Sequence, residues 1–133
     1  MAEAAGKDPV ELRLSMLEGK PRHAAVLKLA AEKAGWGRAL PKGHGLGIAF
    51  AVGYDAYCAQ VVEVKVEGRN LRIERIVCAF DCGMIIDPRA VEAQVEGGIV
   101  FGLSAARDGR ITFEGGAARE SNFHDSALIR IHE

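Results

Sequence analysis

The chain has 133 residues, of which 49% are hydrophobic and 26% are charged. These proportions are typical of a globular domain with its own core, and they exclude an intrinsically disordered chain. Its 17 basic and 18 acidic residues leave a formal net charge of −1. This balance argues against a nucleic-acid-binding protein, which would carry a basic excess or a clustered basic stripe. No apolar run approaches the roughly 20 residues of a membrane-spanning helix.

The cysteines of the chain are Cys58, Cys78 and Cys82. A disulfide-stabilised scaffold usually has an even and denser set, so we expect reduced thiols. The first residues do not show the pattern of a secretory signal. Together these features predict a cytoplasmic location. The spacing between Cys78 and Cys82 does not match that of common zinc sites, and no zinc site is expected.

Residues 1–40 are predicted to form a helical hairpin. Asp8 can cap a helix that has Pro9 at its first position. A second, alanine-rich helix begins at Pro21 and ends at Gly35. Two consecutive helices joined by a short loop form such a hairpin.

Residues 41–133 are predicted to form a second lobe that contains both helix and sheet. Its start carries Gly43, Gly45 and Gly47 and runs into an apolar strand over residues 48–52. A dinucleotide-binding loop requires G-x-G-x-x-G followed by a helix. Here the third glycine comes one residue early and a strand follows. The glycines therefore indicate a lead into a buried strand, or a place where the backbone passes close to another group.

An antiparallel hairpin comes next. Valines at alternate positions from Val62 to Val66 are interleaved with charged residues, which predicts one buried face and one wet face. A turn at residues 68–70 leads into the returning strand. The alternation slips between Ile73 and Ile76, as it does at a β-bulge.

A helix is predicted over residues 88–106, with Asp87 as its N-cap. Its interior carries Gly97, Gly98 and Gly102, and each costs roughly 1 kcal/mol relative to alanine. After residue 96 the helix is apolar nearly all round, which is typical of a helix buried in protein. Glycines in such a helix indicate that a neighbouring backbone or a bound ligand comes very close.

Together these elements predict an α+β fold. A helical hairpin is followed by a mainly antiparallel β-sheet of about four strands, packed by one glycine-containing helix. A short hairpin around Gly115 and Gly116 follows that helix. The change of composition at Pro41 separates residues 1–40 from the α+β lobe of residues 41–133.

Gln94 is the sharpest candidate for a functional side chain. It lies beside Gly98, Phe101 and Ala105, at the edge of the apolar side of its helix. A carboxamide offers donors and an acceptor that need partners. Hydrogen bonding to neighbouring backbone is the commoner state of such a group. The alternative is contact with a polar ligand that approaches the gap at Gly97 and Gly98.

The other polar candidates have structural explanations. A carboxylate can act as a general acid or base, but Asp81 is explained as a turn residue and Asp87 as a helix cap. Glu96 lies across the helix from Gln94, so the two side chains do not converge. His124 is expected to form a surface pair with the carboxylate of the next residue.

Several segments occur in the order of a known family. They are D-P-V-E-L-R at residues 8–13, P-R-H-A-A-V-L at 21–27, a D-x-G…P…Q-x-E-G-G…G-L pattern within 81–103, and E-S-N-F-H-D at 120–125. This series resembles the large subunit of the molybdenum hydroxylases, which include xanthine dehydrogenases and aldehyde oxidases. The last segment is similar to one branch of that family, the isoquinoline 1-oxidoreductase beta subunits.

This resemblance implies a cofactor and a reaction. Members of the family bind a molybdopterin dinucleotide, usually the cytosine form in bacteria. They hydroxylate an N-heteroaromatic compound or oxidise an aldehyde with oxygen from water, and electrons leave through iron–sulfur clusters on another subunit or domain. The resemblance implies that Gln94 contacts the cofactor and that Gly97 and Gly98 pack close to it. It implies no protein metal ligand and no catalytic residue in this chain.

The sequence also departs from the family pattern. The family's catalytic glutamate stands in a G-x-G-E-type motif, which is absent here, and Glu133 has no matching context. We therefore expect a fragment of the molybdopterin-binding subunit that is inactive alone and works with the rest of that subunit and an iron–sulfur subunit. The alternative is a non-catalytic interaction module derived from the family. In either case the apolar helix predicts a partner or self-association.

Overall fold

The computed structural model describes residues 1–125, 128 and 129. After a short 3₁₀ turn at Glu3–Ala5, the elements are α1 (Pro9–Ser15), α2 (Pro21–Ala34), β1 (His44–Gly53), β2 (Ala56–Glu67), β3 (Asn70–Asp81), α3 (Pro88–Asp108), β4 (Phe113–Glu114) and β5 (Ala117–Ala118). All strand pairs are antiparallel, and the predicted α+β class is confirmed. The chain divides into two compact units, Met1–Met84 and Ile85–Glu133. The predicted division at residue 41 and the predicted packing of the glycine-containing helix on the sheet stay predictions.

The helical hairpin of the first unit begins and ends at capping residues. The Asp8 side chain accepts hydrogen bonds from the backbone N–H groups of Val10 (2.8 Å) and Glu11 (3.1 Å), which confirms the predicted cap. Its second oxygen accepts from the Trp36 indole N–H at 2.9 Å. This bond ties the start of α1 to the residues after α2 and lowers the pKa of Asp8. Gly35 ends α2 in the left-handed conformation.

The core of the first unit lies between the helical hairpin and one face of the three-stranded sheet, whose order is β1-β2-β3. Leu27 and Val61 are the largest fully buried side chains. Helix α2 packs on both β2 and β3, and Ala30 and Ala59 allow a close approach because they are small. The hairpin and the sheet therefore share one hydrophobic core, and its burial is the main source of stability of this unit.

Strand β1 is longer than the sequence indicated. It begins at His44 and includes Gly45 and Gly47, which pair with Val64 and Val62. A helix does not follow the glycines, so they do not form a dinucleotide-binding loop. The close backbone approach lies just before the strand, at Gly43. A Cβ atom there would lie 2.8 Å from the carbonyl oxygen of Val66, and the φ of this glycine is +83°.

The β2–β3 hairpin carries the predicted bulge. Glu63 pairs with Arg75 and Val64 with Ile73, so Glu74 is the extra residue on β3. The orientation of the hairpin differs from the expectation. Val61 belongs to the core under α2, and because side chains alternate along a strand, Val62 and its alternate neighbours point to the other side.

That other side of the sheet, called here the second face, is also largely apolar. On β2 and β3 it consists of Cys58, Gln60, Val62, Val64, Ile73, Ile76, Cys78 and Phe80. Phe80 is 38% exposed and Ile73 is 36% exposed. The charged residues that the sequence placed on a wet face lie on the helix side instead. Glu63 is only 14% exposed there and forms an ion pair with Arg38.

The turn between β1 and β2 holds two non-glycine residues in the left-handed region. Tyr54 has φ 50° and Asp55 has φ 63°. The Tyr54 side chain is fully exposed, whereas Asp55 accepts a hydrogen bond from the Tyr57 hydroxyl at 3.1 Å. A left-handed residue other than glycine costs about 1–2 kcal/mol, and asparagine tolerates this conformation better than tyrosine.

We therefore expect Tyr54→Asn to raise the free energy of unfolding of the first unit by about 0.5–1 kcal/mol. Urea denaturation followed by the fluorescence of the single tryptophan is the measurement. Tyr54→Ala is the matched control, because it removes the same ring without relieving the backbone. An equal gain from both variants would show that the backbone conformation is not the cause.

The second unit contains α3 and a short hairpin, which confirms both predicted elements. Strands β4 and β5 are joined by Gly115 and Gly116. Ser104 is the buried polar residue of α3. Its hydroxyl donates to the carbonyl of Val100 at 2.9 Å and accepts from the backbone N–H of Ile129 at 3.2 Å. This side of α3 therefore packs against the segment at residue 129.

Candidate functional site

Helix α3 begins where the sequence predicts. The Asp87 carboxylate accepts from the backbone N–H groups of Arg89 (3.0 Å) and Ala90 (3.4 Å), and Pro88 occupies the first turn. Asp87 is thus engaged as an N-cap. A free general base at this position is not supported.

The candidate cofactor residues form one stripe along α3. Residues at intervals of three and four share a helix face. The stripe, called here the glycine stripe, consists of Gln94, Gly97, Gly98, Phe101 and Ala105, and all five are exposed. The structure therefore presents Gln94 together with both predicted glycines on a surface that a ligand can reach.

The space above the glycines is open. Apart from the helix itself, no described atom lies within 4 Å of a Cβ placed on Gly97, Gly98 or Gly102. Phe101 is 77% exposed and Val100 is 45% exposed. The sequence predicted a helix buried in protein with a close neighbour at its glycines. Among the described residues no atom packs against these glycines, and the close neighbour stays a prediction.

The Gln94 carboxamide is unpaired in the part of the chain that the structure describes. The described residues thus give this side chain no hydrogen bond to neighbouring backbone, which was one of its two alternatives. Two N–H donors and one carbonyl acceptor remain available next to a helix surface without side chains. This combination fits a flat, polar ligand that hydrogen-bonds to the amide and lies against the glycines. The cofactor role of Gln94, Gly97 and Gly98 stays a prediction.

The D-x-G motif is built around Asp81, at the end of β3. Both carboxylate oxygens of Asp81 accept from the Arg22 guanidinium, at 2.9 Å from Nε and 2.8 Å from Nη2. One oxygen also accepts from the backbone N–H of Gly83 at 3.0 Å. Gly83 has φ +78°, a conformation that glycine adopts without strain. Asp81 thus holds the turn, as the sequence predicted.

Arg22 is held from a second side. Its guanidinium carbon lies 4.5 Å from the centre of the Tyr57 ring, and the His23 ring lies 4.4 Å from the same ring. The ion pair with Arg22, followed by the Gly83 hydrogen bond, lowers the pKa of Asp81 to about 2. Asp81 is therefore ionised at neutral pH and has a structural role. It is unsuited to accept a proton from a substrate.

This pKa predicts a dependence of stability on acid. Because the folded-state pKa of Asp81 lies below its ordinary value of 3.8, the ion pair stabilises the fold above that value. The stabilisation is lost as the pH falls from about 4 to about 2. We expect wild type to lose stability more steeply than Asp81→Asn over this range, as measured by urea denaturation at successive pH values. Arg22→Gln should reproduce the Asp81→Asn profile, and identical slopes in wild type and Asp81→Asn would contradict the assignment.

The other candidate side chains lie on the surface, as the sequence predicted for His124. Glu96 is exposed. The His124 side chain is 75% exposed, and its Nε2 atom lies 3.6 Å from a carboxylate oxygen of Asp125. Asp125 also accepts from the backbone N–H groups of Ser121 and Asn122, so it caps a turn. Among the described residues, no hydrogen bond or ion pair joins them to Gln94.

Two arrangements were missed by sequence reasoning. Arg22 and Asp81 are 59 positions apart, and no local pattern connects a helix start with a strand end. Cys58 and Cys78 lie side by side on the second face. The hairpin register could have revealed this cysteine pair, because the turn at residues 68–70 sets which residues of β2 and β3 face each other.

Comparison with known families identifies the family of the chain. The family model for the molybdopterin cofactor-binding domain matches residues 21–133. The chain belongs to this family. The predicted family resemblance is thereby confirmed, and the glycine stripe of this molybdopterin cofactor-binding domain lies within the matched range.

Individual relatives of this domain carry oxidoreductase names. The chain is 38% identical to the beta subunit of isoquinoline 1-oxidoreductase from Brevundimonas diminuta over its whole length, which covers 18% of that protein. It is 32% identical to a nicotinate dehydrogenase subunit from Pseudomonas putida, with 86% of this chain and 11% of that protein aligned. It is 26% identical to a membrane-bound aldehyde dehydrogenase (pyrroloquinoline-quinone) of Gluconacetobacter polyoxogenes, with 98% of this chain and 20% of that protein aligned.

The chain thus spans a fifth or less of the length of these relatives. No solved structure gives a significant match. Among the described residues, no helix has both the length and the apolar character required to cross a membrane.

Proposed function

We propose that the chain is part of the molybdopterin-binding subunit of a molybdenum hydroxylase that hydroxylates N-heteroaromatic compounds or oxidises aldehydes with water. The family match supports a molybdopterin role. The names of the relatives, which refer to isoquinoline, nicotinate and an aldehyde, support this range of substrates. The observation that carries the proposal is the exposed, unpaired carboxamide of Gln94 beside two glycines with open space above them.

The residues of the glycine stripe have distinct tasks in this proposal. The Gln94 amide donates to and accepts from polar atoms at the edge of the cofactor and so fixes its orientation. Gly97 and Gly98 let the cofactor approach the helix backbone. Phe101, which is 77% exposed, covers the adjacent apolar surface and excludes water when the site is assembled. The bound cofactor itself supplies the molybdenum centre at which the substrate is oxidised.

The proposal extends to the assembly. The cofactor is the cytosine dinucleotide, and the partners are the remaining part of the molybdenum subunit and an iron–sulfur subunit that accepts the electrons. The free thiols of the three cysteines support a cytoplasmic location. The separate chain has no turnover, since the sequence has no G-x-G-E-type motif. Its exposed apolar groups, such as Ile86 and Phe101, promote self-association.

The test is the cofactor content of the complete subunit. We expect Gln94→Ala to lower the affinity for the molybdopterin cofactor about tenfold, because one hydrogen bond to a ligand contributes about 1.4 kcal/mol. Molybdenum and pterin are measured after the subunit is dialysed against cofactor-free buffer. Glu92→Ala is the matched control, because Glu92 is also exposed on α3 but lies on another side. Equal retention in both variants would remove Gln94 from the site.

A further inference from the structure

The second face of the sheet carries a pair of thiols. The sulfur atoms of Cys58 on β2 and Cys78 on β3 lie 3.6 Å apart. Both residues are free cysteines of intermediate burial. Two sulfur atoms at this distance are in van der Waals contact, and they must approach by about 1.5 Å to reach the roughly 2.05 Å of a disulfide bond.

The sheet register holds the pair in place. Cys58 pairs with Phe80, and Cys78 pairs with Gln60. The two cysteines are therefore diagonal neighbours on the same face of adjacent antiparallel strands, a relation in which residues are about 7–8 Å apart. Closing a disulfide therefore requires a small local shift of the strands as well as side-chain rotation. The backbone hydrogen bonds of this hairpin keep both strands in register. The two thiols thus meet through secondary structure alone, without the help of a mobile loop.

The two thiols have different surroundings. Burial, followed by the contact with Cys58, raises the pKa of Cys78 to about 12. The side-chain N–H of Gln60 lies 3.7 Å from the sulfur of Cys58 and points a donor toward it. The thiolate is the reactive form of cysteine, and the raised pKa of Cys78 disfavours it there. This makes Cys58 the first nucleophile of the pair and Cys78 the resolving thiol.

We propose that Cys58 and Cys78 form a redox modification site that closes to an intramolecular disulfide by exchange with a small-molecule disulfide. The Cys58 thiolate attacks one sulfur of the small disulfide, whose S–S bond breaks and releases one thiolate that takes up a proton. Cys78 then gives its proton to solvent, and its sulfur attacks that of Cys58. The mixed S–S bond breaks and releases the second thiol. The protein dithiol is thereby oxidised, and one small disulfide is reduced to two thiols.

This inference is independent of the molybdopterin proposal, because it uses residues of β2 and β3 only. It also distinguishes the pair from the third cysteine. Cys82 follows the end of β3 in the D-x-G turn and is outside the register that places Cys58 and Cys78 together. It serves as an internal control for general thiol reactivity.

The test is incubation of the full chain with oxidised glutathione, followed by mass spectrometry of the intact protein. We expect the main product to have lost two hydrogen atoms without a retained glutathione adduct, and dithiothreitol to reverse the change. Cys82→Ser should react as wild type does. Cys58→Ser should lose the reaction, and Cys78→Ser should keep glutathione on Cys58 because the resolving thiol is absent.

Peptide mapping of the wild-type product keeps the test decisive even if a serine variant fails to fold. Cleavage after basic residues and before Asp81 places the three cysteines on three different peptides. A linked pair of peptides containing Cys58 and Cys78 would support the proposal. A link to Cys82, a persistent mixed disulfide on Cys58 of the wild type, or no reaction of Cys58 and Cys78 would each overturn it.

Discussion

Replacing Leu27 with alanine is expected to lower the free energy of unfolding of the first unit by about 2–5 kcal/mol. Leu27 is fully buried on α2, and it belongs to the core that joins the helical hairpin to the sheet. The substitution removes buried methyl groups and leaves a cavity that the surrounding strands fill only in part. This is a large share of the stability of a small domain.

Urea denaturation measures this effect through Trp36, which belongs to the same unit. Leu29→Ala is the matched control on the same helix, because Leu29 is 45% exposed and its loss should cost less than about 1 kcal/mol. If the two variants lost the same stability, α2 would not be the element that covers the sheet.

Replacing Gly98 with leucine is expected to have opposite effects on the separate chain and on the complete subunit. In the separate chain a Cβ at Gly98 meets no described atom within 4 Å. Leucine forms helix better than glycine by about 0.5–1 kcal/mol, so the chain should become more stable. In the complete subunit the same side chain occupies the space that we assign to the cofactor. Bound molybdenum should therefore fall by more than about tenfold, which corresponds to more than about 1.4 kcal/mol.

Thermal unfolding of the chain and elemental analysis of the subunit measure the two effects. The control is Glu92→Leu, which introduces the same side chain at an exposed position of α3 outside the glycine stripe. It should leave the molybdenum content unchanged. A Gly98→Leu subunit with full cofactor content would mean that the stripe faces something other than the cofactor.

Local patterns predicted much of this structure because their causes are local. Asp8 caps α1 because its side chain reaches amides two and three residues away. The bulge at Glu74 was visible as a slip in the alternation of apolar residues. Gln94 and its glycines share a stripe because helical geometry places them there.

Features that depend on tertiary packing could not be predicted from local sequence patterns. Whether Val61 or Val62 faces the core depends on which side of the sheet α2 covers, and both residues are apolar. The contact of Arg22 with Asp81 requires the start of α2 to reach the end of β3. The sequence also predicted a buried α3, because an apolar helix normally has a cover. The glycine stripe is exposed among the described residues, so what covers α3 stays a prediction.

The most direct test of the central claim is an experimental structure of the complete molybdenum subunit with its cofactor bound. The account predicts that the Gln94 side-chain amide lies within hydrogen-bond distance of the molybdopterin dinucleotide. It also predicts that part of the cofactor lies in contact with the backbone at Gly97 and Gly98. A structure in which protein covers this stripe and the cofactor binds elsewhere would contradict the account.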